Sequence, residues 1–230
     1  MTGNAIDTLK RRCRGICLGI FAGDPGNLRG NAEAAAGWGC DILHFDVMDG
    51  IFVPQISAGP AFVKALAGSM IRDVHLMVQR PSEQVAGFVA AGADIVTVQA
   101  ESEGATQALR RIRSAAQDAQ RPVLAGVCLL PDTSLAEAAE LLTMEPDLVL
   151  VAALDPRGKQ PPDVRRACAR VVELRQRFDE NGPLIQFDGG VTAETIAEIA
   201  SAAPDMVVSG SAVMRAEDPA AAFRRMKDAF

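Results

Sequence analysis

The chain contains two histidines, His44 and His75, and each stands in a short apolar run: Ile42-Leu43-His44-Phe45-Asp46 and Asp73-Val74-His75-Leu76-Met77. Runs of this kind read as strands, where residues two apart share a face, so Asp46 points the same way as His44. A third such run, Leu184-Ile185-Gln186-Phe187-Asp188, ends on Asp188 ahead of Gly189-Gly190. Alone, either histidine would read as a hydrogen-bonded core residue. Two imidazoles and two carboxylates at three strand ends are another matter. Gathered in one mouth they would repel or go unsatisfied without a cation. A His2Asp2 set suits one divalent metal ion, zinc first, with iron, manganese and cobalt as alternatives.

Glycines form the next pattern. Gly189-Gly190 follows one strand, and Ser209-Gly210-Ser211 follows the next, ahead of the last helix. Small residues there let backbone N–H groups approach an anion, with a helix N-terminus aimed at the same point. Tight turns that need glycine for backbone reasons are the competing reading.

These groups must be held by a scaffold, and the chain shows one. Eight β-like runs, at 15–22, 41–47, 73–78, 94–98, 123–129, 148–153, 184–187 and 206–208, alternate with eight helical stretches. The helical stretches lie near 28–38, 60–68, 81–91, 103–119, 134–143, 162–179, 192–201 and 218–229. Nearly continuous apolar strands suit a parallel sheet buried on both faces. At 230 residues, the pattern fits one closed (β/α)8 TIM barrel better than a doubly wound sheet. No linker divides the chain, so 1–230 reads as a single domain, with 1–14 as a flexible N-terminal extension. Pro81-Ser82-Glu83 and Pro161-Pro162-Asp163 read as helix starts, Ser134 with Glu137 as a capping pair, and Gly92 as a helix stop.

Composition narrows the partners. Hydrophobic residues at 49% and charged residues at 23% are those of a globular chain. A net charge of -6 offers no general attraction to nucleic acid or anionic membranes, so neither is expected as a partner. No run approaches a membrane span or a signal peptide, and five cysteines without zinc spacing read as reduced thiols. The expectation is a cytoplasmic protein.

The motifs "LHFDVMDGIFVPQISAGPAFVKAL" (43–66), "DVHLMVQRP" (73–81), "DLVLVAALDP" (147–156), "DGGV" (188–191) and "SGSAVMRAEDP" (209–219) resemble the ribulose-phosphate 3-epimerase family. The resemblance runs from about residue 15 to the C-terminus. It implies a ribulose-phosphate-binding barrel in which His44, Asp46, His75 and Asp188 hold the metal and Asp46 and Asp188 are the opposed acid and base. It also implies a small-molecule sugar phosphate as partner and a homo-oligomer. By the same resemblance Met48 and Met77 form an apolar wall by the reacting carbons, though core packing would explain them equally. The implied reaction inverts C3 of a ketose phosphate, ribulose 5-phosphate by default, through an enediolate.

The chain departs from the family pattern in five places. Ala22 replaces a serine, Ile51 and Gln99 each replace a histidine, and Ala152 replaces a methionine. The glycine-rich lid reads Asp155-Pro156-Arg157-Gly158-Lys159-Gln160, one residue shorter and carrying two cations. Arg157, Gly158 and Lys159 therefore become candidate anion ligands, with solvated surface charges as the alternative. The drift leaves open a different phosphoketose or sugar acid, such as allulose 6-phosphate, a metal-dependent aldolase, or a non-catalytic binder. A Schiff-base aldolase is disfavoured, because no strand-like run carries a lysine.

Overall fold

A computed structural model describes every residue except Met1, Ala67, Lys159 and 179–181, and describes residues 2–4 by backbone only. Eight strands close a parallel barrel in chain order. They are β1 (Gly15–Gly19), β2 (Ile42–Met48), β3 (Ile71–Met77), β4 (Ile95–Gln99), β5 (Leu124–Leu129), β6 (Leu148–Ala152), β7 (Leu184–Asp188) and β8 (Met206–Ser209). Around them run α1 (Thr2–Arg12), α2 (Leu28–Gly37), α3 (Pro60–Ala65), α4 (Val85–Ala90), α5 (Ala105–Asp118), α6 (Ala139–Thr143), α7 (Val164–Arg177), α8 (Ile196–Ser201), α9 (Ser211–Met214) and α10 (Pro219–Ala229).

Strand parity sorts the core into two layers. Leu43, Phe45, Val74, Leu76 and Phe187 face outward and pack with the helix residues Phe88, Leu109, Ile112, Leu174 and Phe223. Ile42, Ile71, Ile95, Leu124, Leu148, Leu184 and Met206 face inward and fill the barrel's lower half. Below them an aspartate directly precedes four of the strands, and three of the four bind a neighbouring strand through their side chains. Asp94, Asp147 and Asp205 each accept the backbone N–H of a neighbouring strand, from Arg72, Ala125 and Ile185 at 2.9, 3.0 and 2.7 Å. These bonds satisfy N–H groups that would otherwise be unpaired at the barrel's rim.

Three sequence expectations need correction. Residues 2–14 do not form a loose extension: α1 lies across the barrel floor, where Leu9 and Cys13 are buried among the inward strand residues and Lys10 pairs with Asp147 at 3.3 Å. Pro81–Glu83 forms a 3-10 turn, and α4 begins only at Val85. The helix after Ser209-Gly210-Ser211 is not the last one. It is the four-residue α9, followed by a separate α10 whose N-cap, Asp218, accepts from Ala221 N–H. The Ser134/Glu137 pair makes the reciprocal bonds of a capping box, Ser134 N–H donating to Glu137 Oε2 at 2.8 Å and Glu137 N–H to Ser134 Oγ at 3.2 Å, but it closes a turn ahead of α6, which begins only at Ala139.

Candidate active site

β2 presents His44, Asp46 and Met48 to the barrel interior, each two residues after the last. β3 presents Asp73, His75 and Met77 in register, with His44 beside Asp73, Asp46 beside His75 and Met48 beside Met77. Asp188 stands at the end of β7, paired with Ala152. Ligand atoms of His44, Asp46, His75 and Asp188 all lie within 4.8 Å of one another. His44 Nε2 is 3.2 Å from Asp46 Oδ1, and His75 Nδ1 is 3.4 Å from Asp46 Oδ1 and 3.9 Å from Asp188 Oδ2. The four residues proposed from the sequence therefore do converge.

Beneath them lies a second set, Asp73, Gln186 and Gln99, of which the sequence singles out only Gln99. Asp73 is fully buried, and its Oδ2 lies 2.7 Å from His44 Nδ1. A carboxylate only accepts, so Nδ1 carries the proton and Nε2 is left facing the cluster. Gln186 Nε2 also donates to Asp73 Oδ2, at 2.6 Å, and Gln99 Nε2 contacts His75 Nε2 at 2.9 Å. The signal was available: Asp73 precedes His75 by two and Gln186 precedes Asp188 by two, the same parity that joins His44 to Asp46. Another residue missed was Asp49, which accepts from Ile51 N–H (2.9 Å), Phe52 N–H (2.8 Å) and Gln79 N–H (2.8 Å). It thereby ties the loop after β2 to the end of β3.

The electrostatics separate the two carboxylates. Burial pushes Asp188 up, the negative charge of Asp46 pushes it further, and its pKa stands at about 6. Burial works in the same direction on Asp46, but the neighbouring His44 and His75 outweigh it and hold this carboxyl well below the ordinary range. Burial opposes the charged form of His44, yet Asp73 and Asp46 together raise its pKa well above the usual imidazole value. Two acids pushed apart in this way can divide the roles of proton donor and acceptor.

The donor set fits a divalent cation. Two imidazole nitrogens and two carboxylates share one small space, and His75 Nδ1 is buried without a hydrogen-bond partner of its own. His44, Asp46, His75 and Asp188 would hold it.

The loop residues are distributed less uniformly. Gly189 and Gly190 have φ of +102° and +69°, and a Cβ at Gly190 would lie 2.8 Å from Pro162. These glycines answer a backbone need, whatever else they do. A Cβ on Gly210 would meet Ala22 at 3.1 Å, so Ala22 abuts the strand-eight loop that ends in Ser211 and α9. Arg157 commits its guanidinium to Asp155 (2.7 Å and 2.9 Å) and lies 5.2 Å over the Phe52 ring. Gly158 sits in the same turn, its N–H donating to Asp155 O, while Lys159 lies outside the described residues. Met77 is buried beside Phe52, Leu130 and Ala152, with Met48 packed against the same group. Ile51, where the family motif carries a histidine, is 73% exposed. That departure falls on the surface.

Fold and site together define a (β/α)8-barrel enzyme with a His/Asp cluster at the carboxyl ends of its strands, where active sites of this fold lie. Residues 15–214 match the model of the ribulose-phosphate 3 epimerase family, and the chain belongs to that family. It is 37% identical over 193 residues to the chloroplastic ribulose-5-phosphate-3-epimerase of Arabidopsis thaliana, covering 82% of this chain and 67% of the relative. The ribulose-phosphate 3-epimerase of Aquifex aeolicus is 34% identical over 90% of this chain and 93% of its own. Among solved structures, a 3-hexulose-6-phosphate synthase from Salmonella typhimurium shares the fold with a TM-score of 0.69 at 18% identity, covering 94% of this chain and 97% of its own. The chain is thus an epimerase, an isomerase acting on carbohydrates.

Proposed function

We propose that this chain is a metal-dependent 3-epimerase of a ketose phosphate, converting D-ribulose 5-phosphate to D-xylulose 5-phosphate. The observation that carries the reading is the cluster itself: two carboxylates set with two imidazoles at one barrel mouth, their ligand atoms within 4.8 Å of one another. The C3 proton of such a substrate lies next to a ketone, so its loss leaves an enediolate whose negative oxygens need stabilising. A divalent cation held by His44, Asp46, His75 and Asp188, zinc first among the candidates, supplies that stabilisation.

The rest belongs to the chain's own groups. One of Asp46 and Asp188 takes the C3 proton while the other returns a proton on the opposite face, and the pair exchange roles in the reverse direction. Met48 and Met77 keep the reacting carbons in apolar surroundings. The loops at Gly189-Gly190 and Gly210-Ser211, with Gly158 and Lys159 from the shortened lid and Arg157 on exchanging Asp155 for the anion, bind the phosphate end. The active molecule is a homo-oligomer.

The test is C3 proton exchange in heavy water against a panel of phosphoketoses. Exchange with ribulose 5-phosphate is expected, together with its loss in Asp46→Asn and Asp188→Asn. The two small side chains Ala22 and Ala152 favour a second reading, a bulkier substrate such as allulose 6-phosphate. Exchange with that ketose and none with ribulose 5-phosphate would replace the first reading by the second. Exchange with neither would overturn both.

A further inference from the structure

The two imidazoles of the cluster are held from behind in opposite senses. His44 is backed at Nδ1 by the carboxylate of Asp73 and presents Nε2. His75 is backed at Nε2 by Gln99 and presents Nδ1, the nitrogen nearest Asp46 and Asp188. Gln99 is fully buried, as is His75 but for 2% of its surface. The Gln99 amide nitrogen faces His75, while Gln99 Oε1 and His75 Nδ1 have no hydrogen-bond partners. The oxygen and nitrogen of a glutamine amide are interchangeable in shape, and the hydrogen-bond network decides between them. Turning this amide about its axis places Oε1 against His75 Nε2. That nitrogen then carries the ring proton and donates it, which leaves the Nδ1 lone pair free for a cation.

We propose that Gln99 is a positioning residue for the metal centre, whose carbonyl oxygen accepts the His75 Nε2 proton and so fixes the tautomer in which Nδ1 is the ligand. The inference rests on the cation reading above. It adds that the site has two unlike supports, an anionic one for His44 and a neutral one for His75. An acceptor behind a ligating imidazole typically changes metal affinity by about 10- to 100-fold.

Two variants separate the acceptor from mere packing. Gln99→Met keeps the volume and removes the acceptor; Gln99→Glu keeps an acceptor and removes the donor. Zinc affinity, measured by competition with a chromophoric chelator, should weaken about 10- to 100-fold in Gln99→Met and stay at or above the parent level in Gln99→Glu. Because the chain has only two histidines, long-range 1H–15N spectra of untagged, zinc-loaded protein resolve each ring. The proton on His75 Nε2 should move upfield in Gln99→Met and downfield in Gln99→Glu. Parent-like affinity in Gln99→Met, equal loss in both variants, or an unmoved Nε2 proton would overturn the proposal. If stoichiometric zinc moves neither histidine ring of the parent protein, the metal site itself is wrong, and this inference falls with it.

Discussion

At the scale of single residues, Asp188 is the active-site carboxyl whose environment works against its charge. Its pKa stands at about 6, raised by burial and by Asp46, whereas an aspartate in an unfolded chain titrates near 4. The folded chain therefore holds more protons than the unfolded one between about pH 4 and 6, and stability falls as pH rises through that window. Above it the penalty is complete. Asp188→Asn should thus stabilise the chelator-treated protein by roughly 1–3 kcal/mol at about pH 7, with the gain vanishing by about pH 4, as followed by urea denaturation at each pH. The same substitution should cost about 10²- to 10⁴-fold in epimerisation rate, because a proton carrier is lost. Asp73 makes the complementary case. It touches no substrate, yet it orients His44, so Asp73→Asn should weaken zinc binding by about 10- to 100-fold in a competition titration while the barrel still folds.

At the scale of elements, period and punctuation revealed the eight strands to within a few residues. Strand parity then put His44 with Asp46 correctly. The same parity places Asp73 and Gln186 inside the barrel, but a polar residue within a strand shows its partner only when the neighbouring strand is in register. Nothing local says that β3 sets Asp73 beside His44. α1 is hard to recognise in the sequence for a related reason. Its residues are polar and basic over most of their length, and the few apolar ones gain meaning only against the open floor of a closed barrel. Leu9 is 7% exposed there, among Ile42, Ile95 and Leu124. Leu9→Ala should lower stability by about 2–3 kcal/mol, read as a shift in urea midpoint at unchanged slope, with the distant active site still turning over.

For the whole molecule, cation binding and folding are linked. The cluster draws on β2, β3 and β7, so it exists only when the barrel is closed, and a ligand for it stabilises the fold by mass action. Chelation should abolish epimerase activity and lower the melting temperature. Zinc at about 100 times its dissociation constant should restore both, raising the midpoint by roughly 5–10 °C for a domain of this size. Calorimetry before and after dialysis against a chelator checks it, and an unchanged midpoint would detach the cluster from metal binding. No helix among the described residues is long and apolar enough to cross a membrane.

The amino-acid order alone determined the alternation of strands and helices, the barrel they close, and the four side chains at its mouth, because residue period, residue type and motif are local properties of the chain. Only the folded barrel decided which groups stand behind those four, that the first helix seals the floor, and that Arg157 lies over Phe52. Each of these is a contact between segments far apart in the chain, set by strand register and the stagger of a closed sheet, and neither quantity is written in any one segment.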